Sequence, residues 1–355
     1  MQSANRRPMD ASALTNRSTG SGRVTVAVAP SYHAPWWLGR GGFGAHLQTA
    51  YPFVFDRPAP VAYVRERWET TPNGTPDGDF IDIDRVVGPL DKPLVVVFHG
   101  LEGSSQSIYS LNIMNEVVRR GWRGLVAHFR GCSDEINRLP RAYHSGDSTE
   151  IDWILRRAKT ESPSQPLYVV AISLGGNATL KWLGEQGSDA ASIANAVAAV
   201  SAPMDLMAAG EVLEHGFCKV YTHRFLRTMK RKSLIKLRQH PGIFREDVML
   251  TARTLREFDN EVTAPLHGYR DTDDYWTRGS AKPVLDEIKV PALILNAKND
   301  PFLPASALPA PHEVSPHVTL HFTEHGGHVG FMRGGFPGNC TWMPQRVFRF
   351  FDDGI

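Results

Sequence analysis

No apolar run in the sequence approaches the ~18 residues that a membrane-spanning helix needs. The polar stretch 1–23, rich in Ser, Asn, Thr and Arg, has no apolar core of a secretory signal and is expected to be disordered. Cysteine is scarce: Cys132, Cys218 and Cys340 are odd in number and far apart, which argues against a disulfide framework and leaves no zinc spacing. The reducing cytosol is the compartment such usage fits. Neither sign of charge dominates, with 39 Lys and Arg against 37 Asp and Glu and a net charge of +2, so no general nucleic-acid surface is expected. There is no internal repeat. Gly39, Gly41, Gly42 and Gly44 do not lie between a strand and a helix, so they are not a dinucleotide loop. The Gly- and Trp-rich stretch 35–49 reads instead as packed irregular chain. His128, His144 and His267 lack Cys or Asp partners at metal spacing and read as structural histidines, so neither metal nor cofactor is expected.

What is present is 42% hydrophobic and 21% charged residues, a soluble globular composition in a chain long enough for one large domain. A short strand is expected at 24–29. Stretches 61–69 and 79–84 read as strands around the turn-rich 72–78, an antiparallel hairpin at a sheet edge. Alternation then begins: strand 94–98, helix 108–120, strand 124–129, a long connection 130–147, helix 148–159, strand 167–172, helix 177–183 and strand 193–200. It breaks at Pro203, and 204–280 is mainly helical with no convincing strand. It returns with strands 290–296 and 318–322, and a last helix begins at 344. Such alternation predicts an α/β fold, a mostly parallel central sheet flanked by helices on both faces. The expected organisation is one domain over 24–355 with a helical lid inserted after the sixth strand at about 204–280. Open sheets of this kind bind ligands above the strand C-termini, where the lid would lie.

The chemistry centres on Ser173, which directly follows the apolar run 167–172 and precedes Gly175 and Gly176. A strand, a sharp turn carrying a serine and a helix form a nucleophile elbow. The serine backbone is strained so that its hydroxyl stands clear, and residues two before and two after it must be small. Gly175 meets this; Ala171 stands where glycine is usual. The alternative is an ordinary Ser-Leu-Gly-Gly turn capping a helix. Past the ends of two later strands lie Asp300, before Pro301, and His328, after Gly326 and Gly327. In the chain order Ser, Asp, His, His328 would act as general base and Asp300 would orient it. His325 competes as the base, and Asn299 and Glu324 compete with Asp300. The loop from His99 to Gly103 follows the third strand, so the backbone N–H groups of Leu101 and Leu174 are the expected oxyanion donors.

These stretches together resemble the YheT-like branch of the α/β-hydrolases, which includes the animal lipid hydrolases with an α/β-hydrolase domain. The matching residues are His46-Leu47-Gln48-Thr49, the loop from His99 to Ser105, Arg130-Gly131-Cys132-Ser133, Asn137-Arg138, Tyr143-His144-Ser145-Gly146, the run Ser173 to Asn177, Asn299 to Phe302, and His325 to His328. The resemblance implies esterase or lipase activity on acyl esters and carries the charge-relay roles onto Ser173, Asp300 and His328. Ala171 departs from the branch's glycine, and no N-terminal membrane anchor like that of the animal members is expected. The leading expectation is a serine carboxylesterase acting on short- to medium-chain acyl esters. A thioesterase or acyltransferase with the same triad, and a non-catalytic binding protein, are the alternatives. The expected partner is a small-molecule or lipid acyl ester. Stretch 219–238 of the lid holds eight Lys and Arg and no acid, interleaved with apolar residues, and could rest on an anionic membrane surface or pack its apolar side on the sheet.

Overall fold

The β-branched and leucine-rich runs become strands because such side chains pack well on a pleated surface. The computed structural model of the protein describes residues 31–39 and 41–353. The expected tail 1–23 and strand 24–29 lie outside them. Eight strands form one sheet: β1 (Val64–Glu69), β2 (Phe80–Val86), β3 (Leu94–Phe98), β4 (Arg123–Ala127), β5 (Leu167–Ile172), β6 (Ala196–Val200), β7 (Ala292–Ala297) and β8 (Val318–Thr323). Their spatial order is β1-β2-β4-β3-β5-β6-β7-β8. The β1–β2 and β2–β4 pairs are antiparallel and all others parallel, so the expected hairpin does form the edge.

Alternate residues of each central strand feed two separate cores, as the two-residue period of a strand requires. Val96, Phe98, Val169 and Ala171 face one side and meet Ile151, Ile154, Leu180 and Leu183. Val95, Val97, Val170 and Ile172 face the other and meet Ile113, Val117, Val347 and Phe351. The covering helices are α2 (Ile108–Arg119), α3 (Ser148–Thr160) and α4 (Leu174–Gln186), with α11 (Trp342–Asp353) at the chain's end, while α1 (Gly41–Phe55) lies outside these two cores, its Tyr51 packed with Leu38, Met332 and Cys340. Between β6 and β7 runs the helical insertion: α5 (Leu206–Leu213), α6 (Cys218–Gln239), α7 (Glu246–Thr251), α8 (Leu255–Phe258), a π turn Asp259–Thr263 leading into α9 (Ala264–Leu266), and α10 (Thr272–Gly279). It has its own small core of Leu226, Phe244, Met249, Phe258 and Val262.

One expectation is corrected. The glycine-rich stretch 35–49 is not irregular: Trp36–Leu38 is a 3-10 turn and Gly41–Phe55 is a helix. Glycine disfavours helix in isolation, but here it allows close packing. A Cβ at Gly44 would lie 2.8 Å from the carbonyl of Gly39, and one at Gly330 would lie 2.0 Å from the carbonyl oxygen of Gln48. Tertiary contact outweighs propensity. Smaller shifts affect the ends: β4 stops at Ala127, β6 begins at Ala196, and α4 begins directly at Leu174.

Candidate active site

A single residue, Ser173, joins β5 to α4. Its φ of 52° and ψ of −119° place it among conformations that cost a side-chain-bearing residue about 1–3 kcal/mol. The surroundings hold it there. The Ser173 N–H donates to the Val200 carbonyl at 2.8 Å, and its carbonyl accepts from the Asn177 N–H at 3.0 Å. An ideal Cβ at Gly175 would lie 2.6 Å from the His99 carbonyl oxygen and 3.0 Å from the Phe98 Cβ, so strand and helix meet with no room for a methyl. Ala171 is fully buried, and a Cβ on Gly176 would lie 3.2 Å from its carbonyl oxygen. The Asn177 side chain donates to the carbonyls of Ser145 (2.7 Å) and Gly279 (2.8 Å) and accepts from the Ala281 N–H (2.9 Å). It ties the elbow helix to the long connection and to the end of the insertion.

Three strand ends bring Ser173, His328 and Asp300 together. With the imidazole proton on Nδ1, Ser173 Oγ donates to His328 Nε2 at 3.0 Å, and His328 Nδ1 donates to Asp300 Oδ2 at 2.8 Å. Asp300 is buried and its Oδ1 accepts from the Phe302 N–H at 2.8 Å, while the Phe302 ring stacks on the imidazole with centroids 4.2 Å apart. The competing residues do other work. Asn299 accepts from the Gly327 N–H at 3.0 Å, Glu324 is exposed and pairs with Lys298, and His325 is not among the residues lining the cavity above Ser173.

The His328 loop is held by partners that sequence reasoning missed. Successive N–H groups are each paired: Gly326 to Gln48 Oε1 (2.8 Å), Gly327 to Asn299 Oδ1, His328 to Thr49 Oγ1 (2.9 Å) and Val329 to Ser201 Oγ (3.1 Å). Gln48 and Thr49 sit on α1, some 280 residues earlier in the chain. The only signal for them was the His46-Leu47-Gln48-Thr49 stretch of the resemblance, to which no role had been attached.

The loop after β3 runs against the serine: a Cβ on Gly100 would lie 3.1 Å from Ser173 Cβ. The Gly100 N–H donates to the Tyr109 hydroxyl at 3.0 Å, that of Glu102 to the Tyr143 hydroxyl at 2.9 Å, and that of Gly103 to the Gly100 carbonyl at 3.0 Å. Among the described residues the Leu101 and Leu174 N–H groups have no protein acceptor. Glu102 has a φ of 56° and is clamped: the Tyr143 hydroxyl donates to its Oε1 at 2.7 Å and Lys232 of α6 donates to the same oxygen at 2.8 Å. Beneath the loop, His99 donates through Nδ1 to the Gly100 carbonyl at 2.7 Å and accepts at Nε2 from the Phe129 N–H at 3.1 Å. Burial, aided by His128, holds its pKa down to about 3, so it is a neutral strut.

The remaining polar candidates are structural. Arg130 is fully buried between Asp79 (2.8 Å) and Glu150 (3.0 Å) and braces the long connection. Burial pushes the Cys132 thiol up to about 11, with Lys232 opposing, which suits no nucleophile. His128 bridges Asp84 and the Cys132 carbonyl, and His267 lies between the carbonyls of Thr263 and Ala142 with its ring tilted against that of His144. Over Ser173 opens a cavity of about 620 Å³, to whose lining the insertion contributes apolar side chains, among them Leu206, Leu213, Phe225, Met229 and Trp276.

A family model for the alpha/beta hydrolase fold matches residues 93–334. The chain is 40% identical over 313 residues to YheT of Escherichia coli (strain K12), a protein named as a candidate esterase, with 87% of this chain and 90% of that one covered. It is 31% identical over 334 residues to the phospholipase ABHD3 of Homo sapiens, covering 92% of this chain and 79% of the relative. Among solved structures, a Pyrococcus furiosus esterase superposes with a TM-score of 0.53 over 82% of this chain and 91% of its own, at 16% identity, which speaks to the fold alone. Fold, site geometry and sequence similarity agree, and the chain belongs to the YheT-like branch of the α/β-hydrolase family.

Proposed function

We propose that the protein is a serine carboxylesterase acting on short- to medium-chain acyl esters. The observation that carries this reading is the unbroken hydrogen-bond line from Ser173 Oγ through His328 to the buried Asp300, at 3.0 and 2.8 Å. In this mechanism Ser173 Oγ attacks the ester carbonyl carbon as His328 Nε2 takes its proton. The carbonyl oxygen becomes an oxyanion facing the unpaired N–H groups of Leu101 and Leu174, each such donor contributing roughly 3–4 kcal/mol of barrier lowering. The intermediate collapses, the C–O bond breaks, and His328 returns the proton to the departing alcohol. Water then repeats the sequence on the acyl-enzyme, releasing the acid and restoring Ser173. Asp300 fixes the tautomer and stabilises the imidazolium. The helical insertion acts as the lid, and its apolar wall receives the acyl chain. The volume falls within the ~300–1,000 Å³ of pockets that hold a ligand of moderate size.

Fluorophosphonate labelling together with turnover of p-nitrophenyl esters of increasing length tests the reading. Ser173→Ala should abolish labelling and lower kcat by about 10⁴-fold or more with the fold intact. His328→Ala should behave alike, and His325→Ala should retain much of the activity. Near-wild-type turnover in Ser173→Ala would refute the assignment.

A further inference from the structure

The basic segment of α6 does not present one charged face. Lys230 donates to the carbonyl of Leu250 at 2.8 Å, Lys232 to Glu102, and the buried Lys236 to the carbonyls of Asn137 and Leu139. These three cations are committed to holding the insertion. The remaining ones point outward. Phe217, Val220, Arg224, Arg227 and Arg231 follow at spacings of three and four residues, which places them in one stripe along the helix. All five are exposed, Phe217 by 51% and Val220 by 56%.

Helix α1 carries a second exposed stripe beside the first. Phe43, Ala50 and Phe53 recur at helical spacing, with Val54 adjoining, and Phe43 is 70% exposed. The two stripes touch: the His46 and Phe217 rings are 4.6 Å apart, and the Arg224 guanidinium lies 5.9 Å from the Phe53 ring centroid. Ala50, Phe53, Val54, Arg224 and Thr228 are at once exposed and part of the lining of the cavity above Ser173. The cavity mouth is therefore ringed by apolar side chains standing in water, with a row of arginines alongside. Neither α1 nor α6 contains an acidic residue.

We propose that this rim is a docking surface for an anionic lipid interface, onto which the mouth of the cavity settles so that an acyl chain passes into it without crossing water. Solvent-exposed phenylalanine and valine are placed to enter the acyl boundary, as on interfacial helices, and the arginines complement lipid phosphates, each basic residue near such a surface contributing severalfold to binding. A soluble ester would need no such rim, and a row of arginines without an acidic partner among the described residues favours an anionic over a neutral partner. The proposal deepens the ester-hydrolase reading by naming where its substrate is presented.

Binding is measured separately from chemistry, by co-sedimentation of the full chain carrying Ser173→Ala with vesicles of phosphatidylcholine alone or of phosphatidylcholine with phosphatidylglycerol. Binding to the anionic vesicles only, lost at high salt, is expected. Arg227→Glu with Arg231→Glu, and separately Phe217→Ser with Val220→Ser, should each weaken it at least about tenfold. In the Ser173 background these pairs, which do not line the cavity, should leave hydrolysis of a soluble p-nitrophenyl ester unchanged while lowering hydrolysis of an ester held in vesicles. Equal absence of sedimentation with both vesicle types, or unaltered binding by both variant pairs, would overturn the proposal while leaving the hydrolase reading in place. A dimer lost in the same variants without vesicle binding would assign the rim to a second copy and also overturn it. Vesicle binding by a protein that hydrolyses no ester would instead defeat the hydrolase reading alone.

Discussion

Gly175→Ala probes the closest approach in the site. The added methyl would stand 2.6 Å from the His99 carbonyl oxygen and 3.0 Å from both the Cβ and the carbonyl oxygen of Phe98. Ordinary contact begins near 3.4 Å, so the end of β3 or the start of α4 must move by about 0.8 Å. Most of the obstruction is backbone that no rotamer change can clear. Overpacking of this kind costs about 1–3 kcal/mol, which should lower Tm by roughly 1–4 °C in a protein of this size. The functional effect should be larger than the stability effect. His99 is two residues from Leu101, so the shift moves a proposed oxyanion donor relative to Ser173. A misplacement near 1 Å at a reacting centre costs about 100-fold in rate, and the loss should appear in kcat with KM little changed. Thermal melting and the steady-state kinetics of a soluble p-nitrophenyl ester read both quantities. Ala171→Gly is the comparison: it removes a methyl from the other side of the elbow and should remain active. A Gly175→Ala protein with wild-type kcat and unchanged Tm would refute the reasoning.

Gln48→Leu removes the acceptor for the Gly326 N–H and the partner of Asn299, 3.0 Å away. It should destabilise by about 1–3 kcal/mol through the unpaired groups and lower kcat without abolishing fluorophosphonate labelling of Ser173; an unaltered kcat would show that α1 does not position His328. Acid should weaken the fold before it reaches the carboxylates. Burial holds the pKa of His99 down to about 3, that of His321 to about 4, and that of His144 well below its usual value. His46 and His267 are lowered by burial as well, so below pH 6.5 the unfolded chain takes up protons that the folded one refuses, and stability falls. Asp259 opposes this, since burial raises its pKa to about 6 and the fold retains a proton that the unfolded chain has lost. Glu150, also raised by burial, acts in the same sense as Asp259, but the lowered histidines outnumber these two acids, so the net effect between pH 7 and pH 5 is a loss of stability. Urea unfolding midpoints measured from pH 7 to pH 5 check the sign, and a constant midpoint would contradict it.

Much of the architecture was legible along the chain because its determinants are local. Buried parallel strands are continuous apolar runs, so 94–98, 167–172 and 318–322 stood out between amphipathic helices, and the helical break after β6 was marked by the loss of that pattern. Ser173 was legible for the same reason: a strand, Ser173 with Leu174, and a glycine pair are contiguous. What the linear order could not decide was every choice between neighbours. His328 or His325, and Asp300, Asn299 or Glu324, differ only in which side chain points at Ser173 once β5, β7 and β8 take their places in one sheet. That follows from loop conformations set by Gln48 and Thr49 on a distant helix. The helix itself was missed because glycine's weak propensity is a local quantity, whereas the contact of the Gln48 backbone with Gly330 is long-range. The same holds for the basic run of α6. Its composition announced a cationic helix, but only packing against Glu102, Leu250 and the long connection sorted its charges into those that bind the insertion down and those that face outward. Periodicity reports the environment averaged along an element; direction and partnership arise when elements meet, and they were determined by the tertiary structure alone.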